Sequence, residues 1–127
     1  MDKNYYHYDA FELFGKKFHR VILIPDEPVF KEINSFLKQK GFNVNGFFWK
    51  KAISAIATEL NIGKETDFDA EKDACIICHE SKDELMNLTH QTYLFVNDPV
   101  KFNELLANLD NIIEDVDEVE DNFDDLI

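Results

Sequence analysis

From Gly41 to Leu60 the chain runs GFNVNGFFWKKAISAIATEL, and Trp49, Ala52, Ile53, Ile56, Ala57 and Leu60 recur at three- and four-residue steps. That spacing predicts an amphipathic helix with these residues on its buried face and Lys50, Lys51, Ser54 and Glu59 turned away. Asn45 and Gly46 suit a tight helix start, because both accept cap or left-handed backbone at little steric cost. Phe47, Phe48 and Trp49 then give the helix a heavy aromatic head. Large aromatics bury the most area per residue, so this helix is expected at the centre of the core, with Phe47 or Phe48 left partly exposed as a partner anchor.

Before it, an aromatic run from Tyr5 to Phe14 is broken by Gly15-Lys16-Lys17 and followed by a second run, Phe18 to Pro25. The pattern predicts a hairpin. Val21-Ile22-Leu23-Ile24 shows no polar alternation, which predicts a strand covered on both faces. Asp26-Glu27-Pro28 marks a helix start, since acids and a proline both suit a first turn. The helix is expected to reach about Gln39, with Val29, Phe30, Ile33, Phe36 and Leu37 on one face and Gly41 left-handed past its end.

After the central helix closes near Asn61 to Gly63, the period changes to two. Asp67, Asp69, Glu71 and Asp73 alternate with Phe68, Ala70, Lys72 and Ala74, and Cys75-Ile76-Ile77-Cys78 gives an apolar finish. This predicts one strand to His79 with an acid-studded outer face, either a solvated edge or a stripe for a cationic partner. Ser81 and Glu84 form a capping-box pair ahead of Leu85, Leu88, Thr92 and Phe95 at helical spacing, with a short strand over 93–96 as the alternative. Asn97-Asp98-Pro99 ends that element and starts a last helix carrying Phe102, Leu105, Leu106, Leu109, Ile112 and Ile113. Together the elements predict an α+β fold. It would be a small antiparallel sheet of about three to four strands packed against three to four helices, a single two-layer domain over 1–113.

Charge changes the picture. The chain of 127 residues carries a net −13, and the imbalance lies in its second half, where residues 64–127 hold nineteen acids against four basic residues. Eight of these acids fall in 114–127 with no basic residue, which predicts an acidic tail, frayed or disordered when free. Such a surface repels nucleic acid and anionic membranes and attracts basic proteins. The first twenty residues show no charged head followed by an apolar run, which fits a cytoplasmic protein with reduced thiols.

The candidate chemistry is thin. Cys75-Ile76-Ile77-Cys78-His79 has the spacing of a haem-attachment motif, but on a strand residues three apart face opposite ways and the two sulfurs diverge. A redox pair would start a helix, whereas two isoleucines between the thiols point to burial. Zinc would need more ligands than the nearby His79 and His90 provide. His7 and His19 fall in the hairpin as surface or packing residues. Asp115, Asp117 and Asp121 suggest a calcium loop, but Glu120 and Leu126 stand where its glycine and terminal glutamate belong. With no phosphate-cradling glycine loop or nucleophile elbow, the sequence predicts a binding protein without catalytic residues, cofactor or metal.

The Asn45-Gly46-Phe47-Phe48-Trp49 start of the central helix and the Asp98-Pro99 start of a late leucine-rich helix, in a small acidic α+β chain, resemble the bacterial immunity proteins of polymorphic toxin and contact-dependent growth inhibition systems. The similarity is to the immunity protein 51 family and covers residues 5–113, with the acidic tail as an addition. It implies a non-catalytic inhibitor, a monomer or weak dimer when free, that binds a cognate toxin domain and occludes its working surface. The charge map adds that the toxin is basic, a nuclease for example. The binding residues expected are Asp67, Asp69, Glu71 and Asp73, the tail root Glu114, Asp115, Asp117 and Glu118, and Phe47. The competing expectation is an acidic nucleic-acid mimic or regulatory module for basic nucleic-acid-binding proteins.

Overall fold

The computed structural model describes residues 1–109, so Ile112, Ile113 and the tail over 114–127 lie outside the described residues. Strands β1 (His7–Leu13), β2 (Lys16–Leu23), β3 (Asp67–Ala70) and β4 (Cys75–His79) form one antiparallel sheet in the order β1-β2-β4-β3. Helices α1 (Lys31–Gln39), α2 (Gly46–Leu60), α3 (Lys82–Val96) and α4 (residues 99–109) supply the second layer. The α+β reading holds.

The core lies between the layers. Val21 and Leu23 of β2 and Cys75 and Ile77 of β4 meet Trp49, Ile53 and Ile56 of α2 and Leu85 and Leu88 of α3, all buried. Trp49 is fully buried as expected, with Phe30 at 5.5 Å and Phe48 edge-on at 5.3 Å between ring centres. Such aromatic pairs add to the burial energy through their geometry. Tyr5 packs edge-on to Phe30, and its hydroxyl donates to the Thr89 carbonyl at 2.8 Å, which ties the N-terminus to α3.

Helix boundaries follow the local chemistry. Asn45 caps α2 by accepting from the Phe48 N–H at 3.0 Å. Ser81 caps α3 by accepting from the Glu84 N–H at 3.2 Å, and the helix continues through 93–96 rather than giving way to a strand. Asp98 Oδ1 accepts from the Val100 and Lys101 N–H groups and so starts α4. The start predicted at Asp26-Glu27-Pro28 is a single 3₁₀ turn, Pro28–Phe30, leading into α1. Gly41 is left-handed at φ +91° past the end of α1, as the spacing predicts.

Several sequence expectations are corrected. The stretch 67–79 is not one strand but a hairpin, with Ala70 opposite Cys75, Glu71 and Ala74 bonding each other's backbones, and Lys72-Asp73 at the tip. Continuous alternation hid the turn because no glycine or proline marks it. The break between β1 and β2 is Phe14-Gly15, not Gly15-Lys16-Lys17, and both lysines belong to β2. Ile22 is only half-buried, so β2 is covered on one face rather than two. Gly46 is needed for a close approach rather than for a special dihedral. A Cβ there would stand 2.0 Å from the Glu71 carbonyl oxygen and 2.1 Å from that of Ala74.

Candidate functional site

The Gly46 contact assembles the candidate surface. Its N–H donates to the Lys72 carbonyl at 3.1 Å, so the first turn of α2 is locked onto the β3–β4 turn. The turn thereby brings Glu71 and Asp73 to the helix start, where the residue next to Gly46 is Phe47. Phe48 is buried at 3% exposure and Phe47 stands out at 46%, which decides between the two expected anchors.

The four acids do not form one stripe, contrary to the alternation read from the sequence. Asp67 and Asp69 sit opposite Cys78 and Ile76 and share the sheet face away from the helices, while Glu71 and Asp73 belong to the turn. All four are exposed, and none has an ion-pair partner among the described residues. They form an acidic border along β3 and its turn, with Phe47 next to the Gly46 that bonds this turn. Glu114, Asp115, Asp117 and Glu118 lie outside the described residues.

The outer sheet face adjoins this border, and the sequence reading missed it. Across it run Phe11 and Phe18, stacked at 5.5 Å between ring centres, then Ile22, Ile76 and Cys78, all half-buried. Arg20 lies over the Phe11 ring at 5.2 Å and grips Asp9 with two hydrogen bonds, Nε to Oδ1 at 2.8 Å and Nη2 to Oδ2 at 2.6 Å. The bidentate pair holds the Asp9 carboxyl below its ordinary value. The period-two placement of Phe18, Arg20 and Ile22 was the available signal, but the unbroken run from Val21 to Ile24 concealed it.

The cysteine and histidine motif is strand β4 itself. Cys75 faces the core and Cys78 the outer face, as alternation predicts for residues three apart on a strand. Burial pushes the Cys75 thiol up to about 12; burial and then the Asp67 carboxylate raise that of Cys78. Both changes disfavour the nucleophilic thiolate. His79 is buried, its Nδ1 accepting from the Ser81 N–H at 2.8 Å and its Nε2–H donating to the Lys64 carbonyl at 2.7 Å. A backbone donor on one nitrogen and a backbone acceptor on the other fix a neutral tautomer and occupy both ligating atoms. His19 Nδ1 pairs with the Tyr8 hydroxyl at 2.6 Å. No group of three or more metal-ligating side chains gathers among the described residues, and no described helix is long and apolar enough to cross a membrane.

Comparison with protein-family models, curated proteins and solved structures finds no match, so the chemistry of this surface carries the functional reading alone.

Proposed function

We propose that the protein is a non-catalytic immunity protein of the cytoplasm that neutralises a basic bacterial toxin domain. The acidic corner formed by Asp67, Asp69, Glu71 and Asp73 docks into the toxin's cationic cleft, and Phe47 packs at the rim. The observation that carries this reading is the set of four exposed carboxylates with no ion-pair partner among the described residues, placed along β3 and its turn, with that turn clamped to the start of α2 at Gly46. Unpaired carboxylates on a rigid frame repel one another in the free protein and are relieved by a cationic partner. A buried aromatic at such an interface supplies the energy concentrated in a few residues, while the charges mainly accelerate encounter. Four exposed acids of this kind also fit a partner whose own cleft is shaped for phosphates.

The test is a pull-down from the source bacterium with the full chain as bait, washed at moderate and high salt. One stoichiometric partner that survives high salt, a C-terminal fragment of a large secreted protein, is the expected result. The quadruple variant D67N/D69N/E71Q/D73N should fold with wild-type stability and associate with that partner at least ~10-fold more slowly at low salt. Many basic nucleic-acid binders, all lost at high salt, would overturn the dedicated inhibitor in favour of the nucleic-acid mimic.

A further inference from the structure

The opposite edge of the sheet, β1, pairs on one side only. β1 is a regular seven-residue edge strand, HYDAFEL, with no proline, no lysine and no bulge in its pairing to β2. Natural edges are normally blunted by such devices or by charge; here Asp9 is paired with Arg20, and Glu12 is the strand's one carboxylate without an ion-pair partner among the described residues. A two-residue turn joins β1 to β2, with Leu13 opposite Lys16 and positive φ at both Phe14 (52°) and Gly15 (77°). In such a hairpin the flanking pair is hydrogen-bonded, so His7, Asp9, Phe11 and Leu13 bond inward to β2. Tyr8, Ala10 and Glu12 therefore present their N–H and C=O groups outward, and no other backbone or side-chain group among the described residues bonds them.

We infer that two copies of this chain associate through antiparallel β1–β1 pairing about a two-fold axis at Ala10. This inference is independent of the immunity reading, because the acidic corner lies at the far edge of the sheet. With Ala10 opposite its own copy, Tyr8 meets the second copy's Glu12 and Glu12 its Tyr8. Each of these three pairs exchanges two hydrogen bonds, so all outward groups of both strands are satisfied in one register. On the outer face the same register sets His7 opposite Leu13 and Asp9 opposite Phe11, so no like charges face each other. Asp9 is already neutralised by Arg20.

A charge pair supports the second copy as the occupant. Lys82 extends its ammonium over the Tyr8 ring at 5.1 Å and has no carboxylate within 4.0 Å among the described residues. In the paired register the second copy's Glu12 arrives beside Tyr8, within reach of that ammonium, and the two-fold axis forms the contact twice. The other edge cannot pair with its own copy in this way. β3 is four residues long and carries Asp67 and Asp69, which would face a second acidic edge.

Sedimentation velocity on the full chain across a concentration series tests the dimer. The wild type should shift from monomer to dimer in the micromolar range. Ala10→Pro removes only an outward N–H, which an edge strand tolerates, and should remain monomeric throughout while keeping the wild-type circular dichroism. Glu12→Lys should raise the dissociation constant at least ~10-fold by facing Lys82, and E12K/K82E should recover most of that loss. A wild type that stays monomeric at the highest concentration overturns the inference, as does a folded A10P that still dimerises. Should A10P not fold, the charge series decides: loss with recovery supports the pairing, and equal affinity in all three proteins overturns it.

Discussion

The two edges of this sheet solve the same problem in opposite ways. β3 is short, carries Asp67 and Asp69, and is pinned at its turn to the start of α2 through Gly46. β1 is longer, has its Asp9 charge paired with Arg20, and ends in a hairpin tip where Phe14 is 96% exposed. An exposed strand edge offers unpaired backbone groups to any strand that fits it, and charge is one way to refuse. On the readings proposed above, the two edges take different partners: a cationic surface at β3 and a second copy at β1. The outer face between them, with Phe11, Phe18, Ile22 and Ile76 half-buried, links the two.

Breaking the β3 side should have the largest effect. Gly46→Ala places a Cβ on two backbone carbonyls that cannot swing aside, and overpacking of this kind is expected to cost about 3 kcal/mol or more. Urea denaturation should show the loss, together with weaker partner binding, because the turn carrying Glu71 and Asp73 separates from Phe47. A variant as stable as wild type would mean that the helix start and the turn are not clamped.

The β1 side should respond in the other direction. Phe14 occupies a left-handed position that asparagine fills far more readily in a two-residue hairpin turn, so Phe14→Asn should stabilise the fold by about 1 kcal/mol. The same denaturation experiment measures it. A destabilised F14N would show that the exposed aromatic supports the fold despite its left-handed backbone.

The smallest effect concerns Asp9. Arg20 lowers its folded-state pKa below the ordinary 3.8, so its contribution to stability is fully present above that value and is lost as pH falls through the lower folded-state value. Thermal melts of wild type and Asp9→Asn should differ slightly at neutral pH and converge in acid below 3.8. A gap that persists unchanged in acid would show that the Arg20 pair is not its source. Both side chains keep a large solvent-accessible share, which keeps the contribution small at any pH.

Much of the fold was legible because it rests on local signals. The stripe of Trp49, Ala52, Ile53 and Ile56, the caps at Asn45 and Ser81 and the left-handed Gly41 each act within a few residues, and each occurs where the pattern puts it. The β3–β4 turn was not legible, because Glu71 to Ala74 continue the alternation of the strand and only cross-strand bonding shows where the chain reverses. The candidate acids were identified as residues but misplaced as a group, since one turn divides a stripe into a sheet pair and a loop pair. Phe47 was named ahead of Phe48 as the anchor, and the packing of Phe48 against Trp49 is what leaves Phe47 the exposed one of the two.

By itself the sequence determined the element types, the aromatic core helix, the divergence of Cys75 and Cys78, and the concentration of acid in the second half, because period, capping and charge are properties of neighbouring residues. Tertiary structure alone decided which strand edges stay open, which face of the sheet the helices leave bare, and why position 46 is glycine. Those facts depend on contacts between residues far apart in the chain, such as Gly46 with Glu71 and Ala74 or Phe11 with Phe18 and Arg20, and no local pattern encodes such distances.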